Sequence, residues 1–443
     1  MEKIRIDILP NLYLKEDGTF NTKEVLNLSG KIAGVCYDKE GFNHLINEPQ
    51  EKTDRRIFMT LNNGHHSVYD HTYINFNIQN IPKILAMVLN NEKQYTTSEK
   101  SARYTKITPG EDSVITKEEV DLYNKWLELF ESKIAKEYGN VLSSLKIKKL
   151  AQENARYLVT VFMPTQMIYT TSLRQINYMA SWIASYIEDN KNNLNYFESK
   201  LSKAMGEFLK ELERLNVLVP ELMSNEKHRK LSLFGSNLEQ ISELFSNVYE
   251  TTYMGSFASL AQAQRHRTLD YQMEMLDKKE YYVPPILEND SYLKDEWLED
   301  INKVGWVIPQ GELILISEMG KYEDFILKCK ERLCSAAQVE IMHQTRDTLA
   351  RYKKYLENKT YDFCIILGDF FDRKIYSYED YIQLSYKYMI LLMSHCKKIR
   401  VVYGTRSHEN DQYNIFDMAT KDIYKLAPSS FSIDYKVIKH VEE

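Results

Sequence analysis

Glycine is scarce, at 15 of 443 residues, under half of the ordinary share of about 7%. No Gly-rich phosphate loop and no Gly-x-Gly-x-x-Gly occurs, so P-loop and Rossmann readings lack their sequence support. The five cysteines (Cys36, Cys329, Cys334, Cys364, Cys396) include no Cys-x-x-Cys pair, which argues for a reduced, cytoplasmic protein and against a disulfide scaffold. A global positive charge is missing as well: 57 Lys and Arg stand against 63 Asp and Glu, for a formal charge of −6. No overall field attracts nucleic acid or an anionic membrane, and any anionic ligand must be gripped by a local cluster. Charges in Met1–Asp7 occupy the place where a signal peptide needs an apolar core, so none is expected. The longest uncharged stretch near the middle, residues 157–173, carries Pro164 and several Thr and Gln, which does not suit a membrane span.

What is present is an ordinary globular composition, 43% hydrophobic and 27% charged, with a length that allows two or three domains at about 150 residues each. Thr116 followed by Glu119 forms a capping-box pattern, and Tyr123, Trp126, Leu127, Phe130, Ile134 and Tyr138 recur at helical spacing behind it. Trp126-Leu127-Glu128 returns as Trp297-Leu298-Glu299, 171 positions later, in a second charged helical stretch. A third helix is marked by Phe197, Leu201, Ala204, Met205, Phe208, Leu212 and Leu215. Val219-Pro220 and the polar run 224–229 then break the periodicity, which puts a boundary near residue 220. Residues 64–78 read as a loop entering a strand, and strands are also predicted at 363–367 and 399–403. Helices dominate with strands interspersed and not in βαβ order, so the predicted class is α+β.

Three clusters carry possible chemistry. Gly64-His65-His66-Ser67-Val68-Tyr69-Asp70-His71 holds three histidines in seven residues, but with neither His-Glu-x-x-His nor a cysteine pair nearby a metal site is not expected; a turn cap plus exposed imidazoles is the plainer reading. Glu99-Lys100-Ser101-Ala102-Arg103-Tyr104 sets a hydroxyl and a guanidinium two residues apart, suited to a phosphate, and equally to a solvated turn. In Gln262-Ala263-Gln264-Arg265-His266-Arg267 two arginines emerge from an apolar helix containing Phe257, Leu260 and Ala261. Basic triplets usually form solvated faces, but guanidinium groups leaving a buried helix need partners, and a bound anion supplies one.

Arg265-His266-Arg267 resembles the opening of the flavin-dependent thymidylate synthase signature, Arg-His-Arg, seven residues, then Ser-x-Arg-Tyr. The other end of that signature is matched in the first half, where Glu99, Ser101, Arg103 and Tyr104 fit Glu-x-Ser-x-Arg-Tyr while Asn91-Glu92-Lys93 replaces Arg-His-Arg. The two triplets lie 174 positions apart, close to the Trp-Leu-Glu offset. Gly64, His65, Ser67 and His71 resemble the family's Gly-His-x-Ser-x-x-x-His loop, and Arg332 with Ala337-Gln338-Val339-Glu340-Ile341 resembles its C-terminal arginine and Ala-Gln-x-Glu-Ile helix. Its Asn-x-Arg flavin contacts are Lys321 and Glu323 in the second half, an Asn appears in the first half at Asn177 but Met179 replaces the following Arg, and its histidine before Ala-Gln is Ala336.

The resemblance implies two degenerate thymidylate synthase-like repeats, an antiparallel sheet with helices in each, fused as a pseudo-dimer. Residues 1–220 would carry the first, 221–352 the second, and 353–443 an extension of unknown role. It further implies reductive methylation of dUMP to dTMP with methylenetetrahydrofolate, FAD and NADPH, one site shared between the repeats, and a homodimer acting as a pseudo-tetramer. Gln262, Arg265, Arg332, Glu99, Ser101 and Arg103 would meet the nucleotide, with Arg265 and Arg332 catalytic; Arg265, His266, Arg267 and His65 would meet the flavin. An altered pyrimidine-nucleotide one-carbon transferase, for instance a hydroxymethylating one, and a non-catalytic nucleotide-binding homologue are the alternatives.

Overall fold

The computed structural model describes residues 3–100, 114–193, 195–224, 230–235, 249–333 and 337–357, with three short strands at 364–366, 398–401 and 432–433. The chain divides into two compact units, 1–346 and 347–443. In the second unit three strands, β8 (Cys364–Ile366), β9 (Lys398–Val401) and β10 (Ser432–Ile433), pair in parallel in the order β10-β9-β8. Among the described residues no helix is long and apolar enough to cross a membrane, and no group of three or more His, Cys, Asp or Glu gathers as a metal set.

The first unit holds two antiparallel sheets. β1 (Arg5–Ile8), β2 (Tyr73–Pro82), β3 (Thr96–Glu99) and β4 (Pro164–Ser172) are ordered β1-β2-β4-β3; β5 (Tyr249–Ser256), β6 (Asp270–Met275) and β7 (Leu313–Gly320) are ordered β5-β7-β6. Period-two alternation sets the faces: Ile74, Phe76 and Ile78 of β2 are buried while Tyr73 is exposed. Helices α1 (Thr22–Gly34), α2 (Phe42–Ile46) and α3 (Gln50–Asn62) precede β2, and α4 (Lys83–Leu89) leaves it. α5 (Lys117–Tyr138) and α6 (Ser144–Ala155) lead to β4, which α7 (Leu173–Asp189), α8 (Tyr196–Arg214) and the short α9 (Pro220–Met223) follow. In the remainder of the unit, α10 (Phe257–Ala263) leaves β5, α11 (Ser291–Lys303) precedes β7, and α12 (Tyr322–Arg332) and α13 (Val339–Glu357) close the described run.

Local sequence explains the long helices. The capping box closes α5, Thr116 Oγ1 accepting from Glu119 N and Glu119 Oε2 from Thr116 N, at 3.1 and 2.7 Å. The apolar stripe of α8 is buried from Phe197 to Leu212. The class is mixed, with antiparallel sheets and helices in the first unit, as the α+β reading expects.

The two sheets are wired alike. In each, the strand formed last in the chain lies between the strand that runs into a short helix (β2–α4, β5–α10) and the strand after that helix (β3, β6), and the first sheet adds β1 outside β2. Contacts between the two sets are reciprocal. Val161 N donates to Ile308 O at 2.9 Å while Gln310 N donates to Val159 O at 2.7 Å. Lys93 Nζ reaches Leu269 O at 2.8 Å and Asp270 Oδ1 at 2.6 Å, and Arg267 Nη1, 174 positions after Lys93, reaches Tyr95 O at 3.0 Å and Thr96 Oγ1 at 3.3 Å. Leu269 and Asp270 are themselves 174 positions after Tyr95 and Thr96, so residue i meets j as the counterpart of i meets the counterpart of j, the pattern of a two-fold interface.

At the centre the two tryptophans of the Trp-Leu-Glu triplets meet edge to face, centroids 4.9 Å apart and planes at 89°. Both are fully buried, in one core with Phe130, Ile301 and Val304. Trp126 Nε1 donates to Asp300 Oδ2 at 3.0 Å and Trp297 Nε1 to Tyr282 O at 2.9 Å, satisfying both indoles. By the third strand the offset between counterparts has fallen from 174 to 149 (161 against 310), because α5 and α6 together stand where the other set has α11 alone.

Candidate functional site

A cavity of about 360 Å³ opens between the two sets, lined by Asn90, Tyr95, Thr97, Ser98 and Glu99 from the first and Ala261, Gln264, Arg265 and Arg267 from the second. β3 delivers the first wall. Paired with β4 in the register Glu99↔Met167, it places Glu99 at the strand's end on the same side as Thr97. The second wall is the turn that follows α10, whose buried Phe257, Leu260 and Ala263 anchor it in the core.

The charges are unequal. Glu99 is paired with Lys83 Nζ, the first residue of α4. Burial drives the Lys83 amine below the usual lysine range; Glu99 works against this, and Arg156 and Arg265 add to it. Arg265 is exposed; its backbone N–H donates to Gln262 O at 3.2 Å, and its guanidinium has no hydrogen-bond partner among the described residues. Arg267 is clasped to the Tyr95 and Thr96 loop, its guanidinium 5.5 Å from the Tyr95 ring centroid. Tyr95 stacks on buried Tyr169, and burial pushes its hydroxyl up to about 12. One carboxylate therefore stands among Lys83, Arg156, Arg265 and Arg267, an arrangement that suits an anion.

The other sequence-derived residues lie variously. Gln262 is buried, with Nε2 unpartnered, on α10 next to the cavity turn. His266 does not line the cavity: it is 4% exposed and turned toward α12, where its Nε2 accepts from Arg332 Nε at 2.7 Å and its Nδ1 lies 3.5 Å from Glu331. That bond fixes the neutral, Nδ1-protonated ring. Burial, then Arg332 and Lys328, lower its pKa to about 3. Arg332, at the end of α12, thus holds His266, and it is not among the residues lining the cavity. His65 is exposed ahead of a short 3₁₀ turn, while its neighbour His66 is buried between Tyr178 Oη and Leu61 O. Ser101 and Arg103 lie outside the described residues.

The counterpart position across the interface is closed. Asn91, 174 positions before Arg265, is buried and bonded to Ser232 Oγ at 2.8 Å and Tyr271 O at 2.9 Å. Glu92, the counterpart of His266, accepts from Ser232 N at 2.6 Å. The turn at 232–234 thus packs on Asn91 and Glu92, the counterparts of Arg265 and His266.

Sequence reasoning missed a second pocket, of about 260 Å³, between Asp70, Lys93, Gln94 and the start of α7. Ser172 caps α7 and donates to Asp70 Oδ1 at 2.6 Å, Arg174 pairs with Asp70, and Tyr178 and Trp182 lie one and two turns on. Arg174 Nε and Gln175 Nε2 are buried without partners. Counted from the helix caps, Ser172-x-Arg174 matches Lys321-x-Glu323, so the first-half counterpart is Arg174; Asn177 instead bridges Leu173 O, Val217 O and Val219 N inside the core. The cap position was the signal that would have found it.

Two solved structures are similar to part of this chain. A UMP/dUMP methylase from Streptomyces cacaoi, bound with 5-Br dUMP, is 16% identical, with 40% of this chain and 77% of that one covered and a TM-score of 0.25. Thymidylate Synthase X from Helicobacter pylori, with FAD and dUMP, is 16% identical, with 48% and 99% covered and a TM-score of 0.26. No curated protein matches. The family described as thymidylate synthase complementing protein matches residues 21–184, a span that includes Glu99 and the lining of the second pocket, ends within α7 and stops before Arg265. Over residues 21–184, then, the chain is similar to the thymidylate synthase complementing protein family.

Proposed function

We propose that the chain methylates C5 of a deoxyuridine monophosphate, with two degenerate copies of one unit sharing a single nucleotide site. The observation that carries this reading is the cavity itself: Glu99 comes from the family-matched segment and the exposed Arg265 lies 174 positions after Asn91, and they line one opening. The reciprocal contacts of Lys93 and Arg267 support the pseudo-dimer, and the plugging of the counterpart position by Asn91 and Ser232 supports one site per chain.

The nucleotide would lie between these walls. Glu99, held by Lys83, accepts from a sugar hydroxyl or a base N–H, and Arg265 donates to uracil carbonyl oxygens, favouring negative charge on the ring during attack at C5. Gln262 Nε2, buried and unpartnered, supplies a further donor. Ser101 and Arg103 complete the phosphate grip in this reading. Arg332 acts through His266, fixing the turn that presents Arg265 and Arg267.

The family implies FAD, with NADPH as reductant and methylenetetrahydrofolate as one-carbon donor. The residues around His266 do not fit a flavin, since that ring is buried against α12. The pocket at α7 does fit part of one: Arg174 Nε and Gln175 Nε2 offer unused donors, Lys93 lines the same wall, and Tyr178 and Trp182 give aromatic surface. Bound there, the flavin would supply the hydride that turns a methylene bridge into a methyl group. Gln94 of this pocket is adjacent in the chain to Tyr95 of the nucleotide cavity. The burial of His266 also favours a second reading, an altered one-carbon transfer such as hydroxymethylation. We further propose that the fused chain assembles as a homodimer.

Incubation of the purified full chain with dUMP, methylenetetrahydrofolate and NADPH, followed by mass analysis of the nucleotide, tests the function. dTMP is expected; a hydroxymethyl product moves the assignment to the second reading, and unchanged dUMP from flavin-loaded protein refutes both.

A further inference from the structure

Lys83 stands in an unfavourable place for a cation. Its side chain is 14% exposed, burial opposes its charge, and Arg156 and Arg265 oppose it further. Glu99 alone compensates. A buried pair of this kind returns little net stability against an apolar replacement of the same size, and the counterpart position, 174 residues on, is Phe257, 1% exposed in the core. The scaffold therefore accepts an apolar side chain at this point of the fold. The lysine appears only on the side where the cavity is open and where Glu99 faces it; on the closed side the strand residue corresponding to Glu99 is the buried Met273.

We propose that Lys83 is a positioning residue for the nucleotide site, locking the Glu99 carboxylate toward the cavity so that it receives the sugar or base of the bound nucleotide. The inference rests on the reading of the cavity as a deoxyuridine monophosphate site. Lys83 does not itself line the opening, so it acts through Glu99, and its effect must vanish when Glu99 can no longer be locked. Without the ammonium, the carboxylate is drawn across the cavity to Arg265, whose guanidinium is bonded to no described residue, and the two groups meant for the ligand neutralise one another.

Equilibrium binding of dUMP to the full chain tests this with Lys83→Met, Lys83→Arg, Glu99→Gln and the double variant Lys83→Met/Glu99→Gln. Lys83→Met is expected to weaken dUMP about 10-fold or more, the scale of one lost charge-assisted contact of about 1.4 kcal/mol. Lys83→Arg should stay within about 3-fold of wild type, because a cation of similar reach restores the pair. In the Glu99→Gln background the Lys83→Met change should cost under about 2-fold, the non-additivity of residues acting as one unit. A merely structural lysine would instead lower affinity and urea midpoint together and to the same extent in both backgrounds, and that result overturns the proposal. So does wild-type affinity in Lys83→Met. If Lys83→Met fails to fold, Lys83→Arg against Glu99→Gln carries the test: an arginine that loses as much affinity as Glu99→Gln overturns it too. Failure of the wild-type chain to bind dUMP removes the cavity reading and this inference with it, whereas dUMP binding that depends on Arg265 but not on Lys83 removes this inference alone.

Discussion

Replacing His266 by Gln should remove a defined part of the acid sensitivity of the first unit. The imidazole is 4% exposed and accepts from Arg332, with Lys328 adding a second positive field, and its pKa falls to about 3 in the folded protein. In the unfolded chain the ring returns to about 6.5. Below that value the unfolded state binds a proton that the folded state refuses, so this group's contribution is present above pH 6.5 and is lost as pH falls toward 3. At about 1.4 kcal/mol per pH unit, lowering the pH from 7 to 5 costs about 2 kcal/mol through this residue alone. Glutamine accepts from Arg332 without titrating. Urea unfolding followed by tryptophan fluorescence is the assay, and it reads the first unit specifically because Trp126, Trp182, Trp297 and Trp306 all lie within residues 1–346. Carboxylates titrate in both proteins and cancel in the comparison. The variant should lose about 2 kcal/mol less than wild type between pH 7 and pH 5; equal losses would refute the assignment of a neutral, acid-refusing His266.

Two further expectations concern the core and the site. Trp297→Ala should destabilise the first unit by about 3–5 kcal/mol, since it removes the edge-to-face partner of Trp126 and leaves Tyr282 O without its donor; a loss below about 1 kcal/mol in urea unfolding would mean that the two halves do not depend on this contact. Arg265→Gln should weaken dUMP binding by about 10-fold or more while leaving the urea midpoint unchanged, because the guanidinium is exposed and bonded to no described residue, and wild-type titration should saturate at one nucleotide per chain; two would contradict the closure of the counterpart position by Asn91 and Ser232.

By itself the sequence determined the elements whose signals are local. Thr116 and Glu119 mark the start of α5 through bonds three residues apart, and the stripe from Phe197 to Leu212 marks the buried face of α8, because helix caps and periodicity are written in neighbouring positions. The same holds for the split signature, in which Glu99 and Arg265 were legible as members of one pattern. Only the tertiary structure decided which of these side chains face the cavity. His266 stands between two arginines in the chain, yet a contact 66 positions away turns it into the core, and Arg267 is occupied by Tyr95, 172 positions away. Lys83 belongs to no motif and became visible through Glu99, the partner that folding brings to it, while Arg174, which the resemblance leaves beside Thr171 near the place of a family arginine, is set in its pocket by Asp70 and the cap at Ser172. Spacing encodes direction along one helix or strand; burial and charge at a cavity are sums over segments far apart in the chain, and no window of the sequence contains them.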